Sequence, residues 1–182
     1  MLDLKYIVLS ILIFLGGCAI PAYLKGSINS QVFSTPSGKR VFVVMLPESP
    51  SLRDRQIGNQ ISEYLIQNEY TPATSEEKAN TAVVYKFSIG QGHTSVSSHT
   101  NSSTGKMTIS SSTDYPRFFQ LTIINLEESK RTGNPALIWQ GEVYSTGPST
   151  NTSKLTKPFL EELFENFGKT TNEKSFHKVI MW

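Results

Sequence analysis

The sequence predicts a two-layer α+β domain, a mixed sheet of about four strands covered on one face by two helices. Three patterns support this. Runs of β-branched and aromatic residues recur at 39–46, 79–90, 115–126 and 136–146, the composition that suits a pleated, half-buried surface. Two other stretches, after Ser51 and from Leu155, space their apolar residues three and four apart, which gathers them on one face of a helix. The resulting order is strand, helix, strand, strand, strand, helix. A helix between the first two strands asks for a parallel pair with a right-handed crossover, and the later strands form a meander. Two helices with one apolar face each must bury that face against the sheet.

Each element has its own signals. Residues 18–38 contain two prolines, several serines and only scattered apolar positions, with no period that specifies helix or strand, so they are expected to be a tether. The first strand, 39–46, is stopped by Pro47. Ser51 with Asp54 three residues on forms a capping arrangement, and Leu52, Ile57, Ile61, Tyr64 and Leu65 follow at helical spacing until Asn68 and Pro72. In 79–90, Val83, Tyr85, Phe87 and Ile89 alternate with Val84, Lys86 and Ser88. Thirteen of the 23 residues at 91–113 are Ser or Thr; so little apolar surface cannot offset ordering entropy by burial, and the segment is expected to be an exposed hairpin arm turning near 101–105. Pro116 sits at the start of the third strand, where a missing N–H costs least. Residues 127–135 are expected to be a turn, which makes the fourth strand antiparallel to the third. Leu155, Phe159, Leu160, Leu163, Phe164 and Phe167 line the second helix, with Pro158 in its first turn and Gly168 at its end. The domain thus runs over 39–182.

Composition narrows the partners. Lys+Arg is 17 against Asp+Glu 15, a net charge of +2 over 182 residues, and no basic cluster exceeds Gly38-Lys39-Arg40 or Lys130-Arg131, so no nucleic-acid partner is expected. One cysteine cannot form an internal disulfide, and three histidines without CxxC or HExxH predict no metal site.

The first residues concern delivery. The apolar run 6–15 is about half the roughly 20 residues that a membrane-spanning helix needs. Lys5 precedes it and Gly16-Gly17 follow, the order of an export signal over 1–17. Leu15-Gly16-Gly17-Cys18 resembles the bacterial lipobox. The resemblance implies cleavage between Gly17 and Cys18, acylation of the Cys18 thiol, and a membrane anchor built from acyl chains, each buried CH2 contributing about 0.8 kcal/mol. Ala19, where the similar enteric sorting pattern has Asp for inner-membrane retention, implies the outer membrane, periplasmic face.

Catalytic signals are sparse. His93 and His99, six apart on one face of a strand, lie roughly 20 Å from each other and are expected to be solvated. Glu161 and Glu165 read as a charged helix face opposite the phenylalanines. No Gly-x-Ser-x-Gly elbow, phosphate loop or dinucleotide turn occurs, and Gly90-Gln-Gly92 is a strand end. Tyr115, Phe118, Phe119, Trp139 and Tyr144 are expected to form sheet core and cross-strand pairs. No catalytic residue and no cofactor is therefore expected. Phe176, Ile180 and Trp182 alternate in the tail as in a short strand, which either completes the domain's own sheet or adds to a partner's, with Trp182 as an aromatic anchor.

Ala79-Asn80-Thr81-Ala82-Val83-Val84, Tyr115, Leu137-Ile138-Trp139-Gln140-Gly141, Ser145-Thr146-Gly147 and Pro158 to Phe167-Gly168, together with the lipobox, resemble a family of uncharacterised bacterial envelope lipoproteins. That resemblance implies a non-enzymatic module that binds other envelope proteins. A second family shares the expected topology: the outer-membrane lipoprotein that plugs the lipopolysaccharide-export barrel, echoed here by Tyr23-Leu24-Lys25-Gly26.

Overall fold

The structure, a computed structural model, describes residues 21–44 and 50–181. Its elements are β1 (Pro21–Val32), β2 (Arg40–Val44), α1 (Leu52–Gln67), β3 (Thr71–Pro72), a 3-10 turn (Glu76–Lys78), β4 (Thr81–Ile89), β5 (His93–Thr100), β6 (Met107–Asn125), α2 (Leu126–Thr132), β7 (Ala136–Gly147), α3 (Thr152–Glu165) and β8 (Thr171–Met181). The sheet contains eight strands among the described residues, in the order β3-β2-β4-β6-β7-β1-β8, with β5 paired to the far half of β6. The expectation of a four-stranded sheet is therefore overturned. β2 and β4 are parallel across α1, and β4, β6 and β7 form an antiparallel meander.

Two strands account for most of the difference. The expected tether is β1, an inner strand seated between β7 and β8. Its inward positions read Leu24, Gly26, Ile28 and Ser30, so two small residues break the apolar alternation that would have announced it. Gly26 is small of necessity, because a Cβ there would lie 2.2 Å from the Tyr144 carbonyl oxygen and 2.7 Å from the Phe176 ring. Ser30 is buried but satisfied, donating to the Lys169 carbonyl at 2.8 Å.

The second is β8, antiparallel to β1 and longer than the expected tail. Its inward positions alternate Lys174, Phe176, Lys178 and Ile180. Lys178 Nζ donates to Glu165 Oε1 at 2.6 Å and stands within 4.0 Å of carboxylate oxygens of Glu161 and Glu162. The expected solvated acidic face is instead an ionic seam joining α3 to β8. Glu162 is only 2% exposed, and Asn166 Nδ2 donates to its carboxylate at 3.0 Å.

α1 and α3 cover one face of the sheet. Ser51 caps α1 reciprocally with Asp54: Asp54 N–H donates to Ser51 Oγ, and Ser51 N–H to the Asp54 carboxylate. Ile57, Ile61 and Leu65 of α1 and Leu155, Phe159, Leu160 and Leu163 of α3 pack on Val41, Val83, Phe119, Leu121, Ile123 and Trp139. Trp139, 1% exposed, lies over Gly141 and donates its indole N–H to the Lys169 carbonyl at 3.1 Å. α3 starts at Thr152, with Asn151 as its cap, so Pro158 sits inside the helix rather than in its first turn. The expected turn 127–135 contains α2, capped by Asn125 and ended by Gly133 at φ +71°. No helix among the described residues is long and apolar enough to cross a membrane.

Candidate functional site

The inward face of β6 runs Tyr115, Arg117, Phe119, Leu121, Ile123, in register with the inward residues of β7. Arg117 is thus an arginine at a core-facing position. It pairs across the sheet with Ser145, which pairs with Gly26 and, through it, Phe176, so one row crosses four strands at this end of the sheet. Ser145 Oγ donates to the Lys25 carbonyl at 2.8 Å.

Arg117 is 5% exposed, yet its Nε–H has no acceptor and no carboxylate lies within 4.0 Å of its guanidinium among the described residues. Burial pulls the guanidinium below the ordinary arginine range, and the more distant charge of Asp114 opposes that shift. The side chain lines a cavity of about 490 Å³. Leu24, Ile180, Pro148 and Tyr23 contribute apolar wall, and Thr146 and Ser149 bring hydroxyl groups; no Asp or Glu among the described residues lines it. Gly147 is what leaves room for the guanidinium: a Cβ at that position would stand 2.8 Å from an Arg117 terminal nitrogen. A cavity of this size with apolar walls and one fixed cation has the makings of an anion site.

Beyond Arg117, the far half of β6 leaves the sheet with β5 as the arm, the hairpin expected at 91–113. Val96 pairs with Ser111, Ser98 with Ile109 and Thr100 with Met107, which puts Val96, Ile109 and Met107 on one side of the ribbon, all exposed. His93, Ser95, Ser97 and His99 take the other side. The arm points toward the same end of the sheet as the start of β1 and the end of β8. Counted from the Arg117 row, Pro21 lies five residues along and Met107 ten, or about 17 and 34 Å at roughly 3.4 Å per residue.

The residues singled out from sequence fall in several places. Phe176 and Ile180 are buried against the domain's own core rather than presented to a partner, because β8 pairs with β1. Trp182, Gly17, Cys18, the leader 1–17 and the end of the first strand at 45–47 lie outside the described residues. His93 and His99 are exposed on β5, and no group of three His, Cys, Asp or Glu among the described residues is placed to hold a metal. Phe119 and Trp139 are core, while Phe118 and Tyr144 form a cross-strand pair on the helix-free face with ring centroids 4.9 Å apart. Tyr144 Oη, Gln120 Nε2 and Gln140 Nε2 all donate to the Glu142 carboxylate on that face. Arg117 was missed, although a cation at the parity of Phe119, Leu121 and Ile123 is a visible signal.

No family model matches the chain, and no curated protein matches it. Among solved structures it is similar to a PDZ domain protein from Parabacteroides distasonis, with a TM-score of 0.52 and 11% identity over 95% of this chain and 42% of that one. A dodecameric PelC variant from Paraburkholderia phytofirmans aligns at a TM-score of 0.42 and 14% identity, over 76% of this chain and 95% of that one. The chain therefore spans less than half of the PDZ domain protein, and at this identity the likeness is one of fold alone.

Proposed function

We propose that the chain is an envelope lipoprotein, held by acyl chains on Cys18 at the periplasmic face of the outer membrane, whose sheet serves as a non-enzymatic interaction module for other envelope proteins. The observation that supports this reading is that the chain is already part of β1 at Pro21, three residues after Cys18. In place of a long tether, about 10 Å of chain would join the acyl anchor to an inner strand of the sheet. An anchor there would hold the cavity end of the domain toward the bilayer and bring the exposed side chains of the arm to the membrane surface, where envelope partners are met.

Mass spectrometry of membrane-extracted protein tests the anchor: an acylated N-terminal peptide beginning at Cys18 is expected, and an unmodified Met1 or a free Cys18 thiol in cells would refute it. Photo-crosslinkers at Val96 and Ile109 in intact cells test the interaction role. A defined envelope protein that crosslinks at these positions and not at a core-sheet control is the expected result. An outer-membrane barrel as that protein would favour the lipopolysaccharide-export alternative. Crosslinks to lipid alone would leave the anchor standing and remove the interaction role.

A further inference from the structure

We infer that the Arg117 cavity binds a singly charged oxyanion carried on an apolar stem, with the Arg117 guanidinium gripping the head and the Leu24, Ile180 and Pro148 walls enclosing the stem. A buried cation with no carboxylate partner is costly to a fold. An apolar residue at the position of Arg117, between Tyr115 and Phe119, would satisfy the packing of β6 without that cost. The position instead carries the one side chain whose planar fork offers two parallel N–H bonds to an oxyanion, and Gly147 keeps open the space its terminal nitrogens need.

The lining sets the charge and the shape of the ligand. Among the described residues only one cation lines the cavity and no acid does, so one negative charge is neutralised and a polyphosphate or a metal ion is not matched. The unused donor at Nε adds to this, since a carboxylate or a phosphodiester can accept from Nε and a terminal nitrogen together. The volume, about 490 Å³, falls within the range of small-molecule sites. Two sources supply such chemistry, a free fatty carboxylate and the phosphodiester of a membrane lipid. The inference depends on the cavity and not on acylation of Cys18.

The test uses the full chain in a nonionic detergent and in phosphatidylglycerol nanodiscs, with octanoate as the soluble probe and octanol as its uncharged counterpart. The readouts are the melting temperature and the side-chain Nε–H resonance of Arg117, assigned by its loss in Arg117→Lys. In detergent, octanoate is expected to raise the melting temperature and shift the resonance, and octanol is not. Arg117→Met is expected to melt no lower than the parent without ligand and to weaken octanoate binding by at least about tenfold. Gly147→Ala, which crowds the guanidinium, should weaken it as well. A resonance already shifted in the nanodiscs without octanoate assigns the lipid phosphodiester as the source; a shift that appears only with octanoate assigns the free carboxylate. No response to either probe, an equal response to octanol, or an undiminished response in Arg117→Met overturns the inference.

Discussion

β6 passes through two environments along its 19 residues. From Arg117 to Asn125 it lies between β4 and β7 under the helices, and Phe119, Leu121 and Ile123 are fully buried. From Met107 to Asp114 it pairs only with β5, and its apolar side chains are in solvent. Hydrogen bonding is continuous across the boundary; in the arm it even extends to side chains, with Thr94–Thr113, Ser95–Ser112 and Ser97–Ser110 hydroxyl pairs at 2.7, 3.1 and 2.7 Å. What stops at the boundary is burial. A two-stranded ribbon is marginal in water by itself, so the arm owes its form to ladder register and to its rooting in the body, while the stability of the molecule resides in the body alone.

Substitutions in the body should therefore be expensive and changes in the arm cheap. The largest effect is expected from Trp139→Ala, which empties a site between the sheet, Leu163 and Phe167 and removes one of the two side-chain donors to the Lys169 carbonyl; about 3–5 kcal/mol should be lost in denaturant melts. Gly26→Ala should cost about 1–3 kcal/mol by overpacking, since its Cβ meets a backbone oxygen and the Phe176 ring, and a second change, Phe176→Leu, should recover part of the loss. Ser51→Ala should cost about 1 kcal/mol through the lost α1 cap.

The same cap has a pH signature. The Ser51 hydroxyl holds the Asp54 carboxyl below its ordinary value of 3.8, so its contribution is complete above that value and disappears as the pH falls through the lower, folded one. Ser51→Ala should flatten that part of the acid limb of a stability titration. The smallest effect is expected from deletion of 94–112 with closure by a short turn, within about 0.5 kcal/mol of the parent. A deletion that unfolds the domain would erase the contrast between arm and body.

The elements legible in the sequence are those whose inward positions are uniformly apolar. β4 from Val83 to Ile89 and β6 from Phe119 to Ile123 alternate cleanly, the Ser51–Asp54 pair marks the start of α1 to the residue, and the hydroxyl-rich 91–113 is the arm. Where inward positions serve another purpose, the signal fails. Gly26 and Ser30 make β1 look like a tether because one yields to Phe176 and the other bonds a loop carbonyl. Lys174 and Lys178 make β8 look mixed because their charges are answered by α3, a pairing that sequence distance conceals. The cavity was hidden for a related reason. It is assembled from β1, β6, β8, the end of β7 and the segment that follows it, and no single stretch of chain contains enough of it to form a motif.

The place of β1 in the sheet also sets the order in which the molecule can be completed. β1 leaves a ribosome ahead of the other strands, yet it is hydrogen-bonded to β7 and β8, which emerge more than a hundred residues later. β2, α1, β4 and β6 can associate while synthesis continues, but β1 has no partner until the segment beyond α2 is out. Three of the eight strands, β7, β1 and β8, therefore wait on that segment, and contacts of such long sequence separation are slow to form. A chain halted before residue 136 would keep a β2–β4–β6 nucleus and leave β1 unpaired. The interval between emergence and pairing is when this protein is most open to chaperones, to proteases and to any machinery that handles unfolded chains.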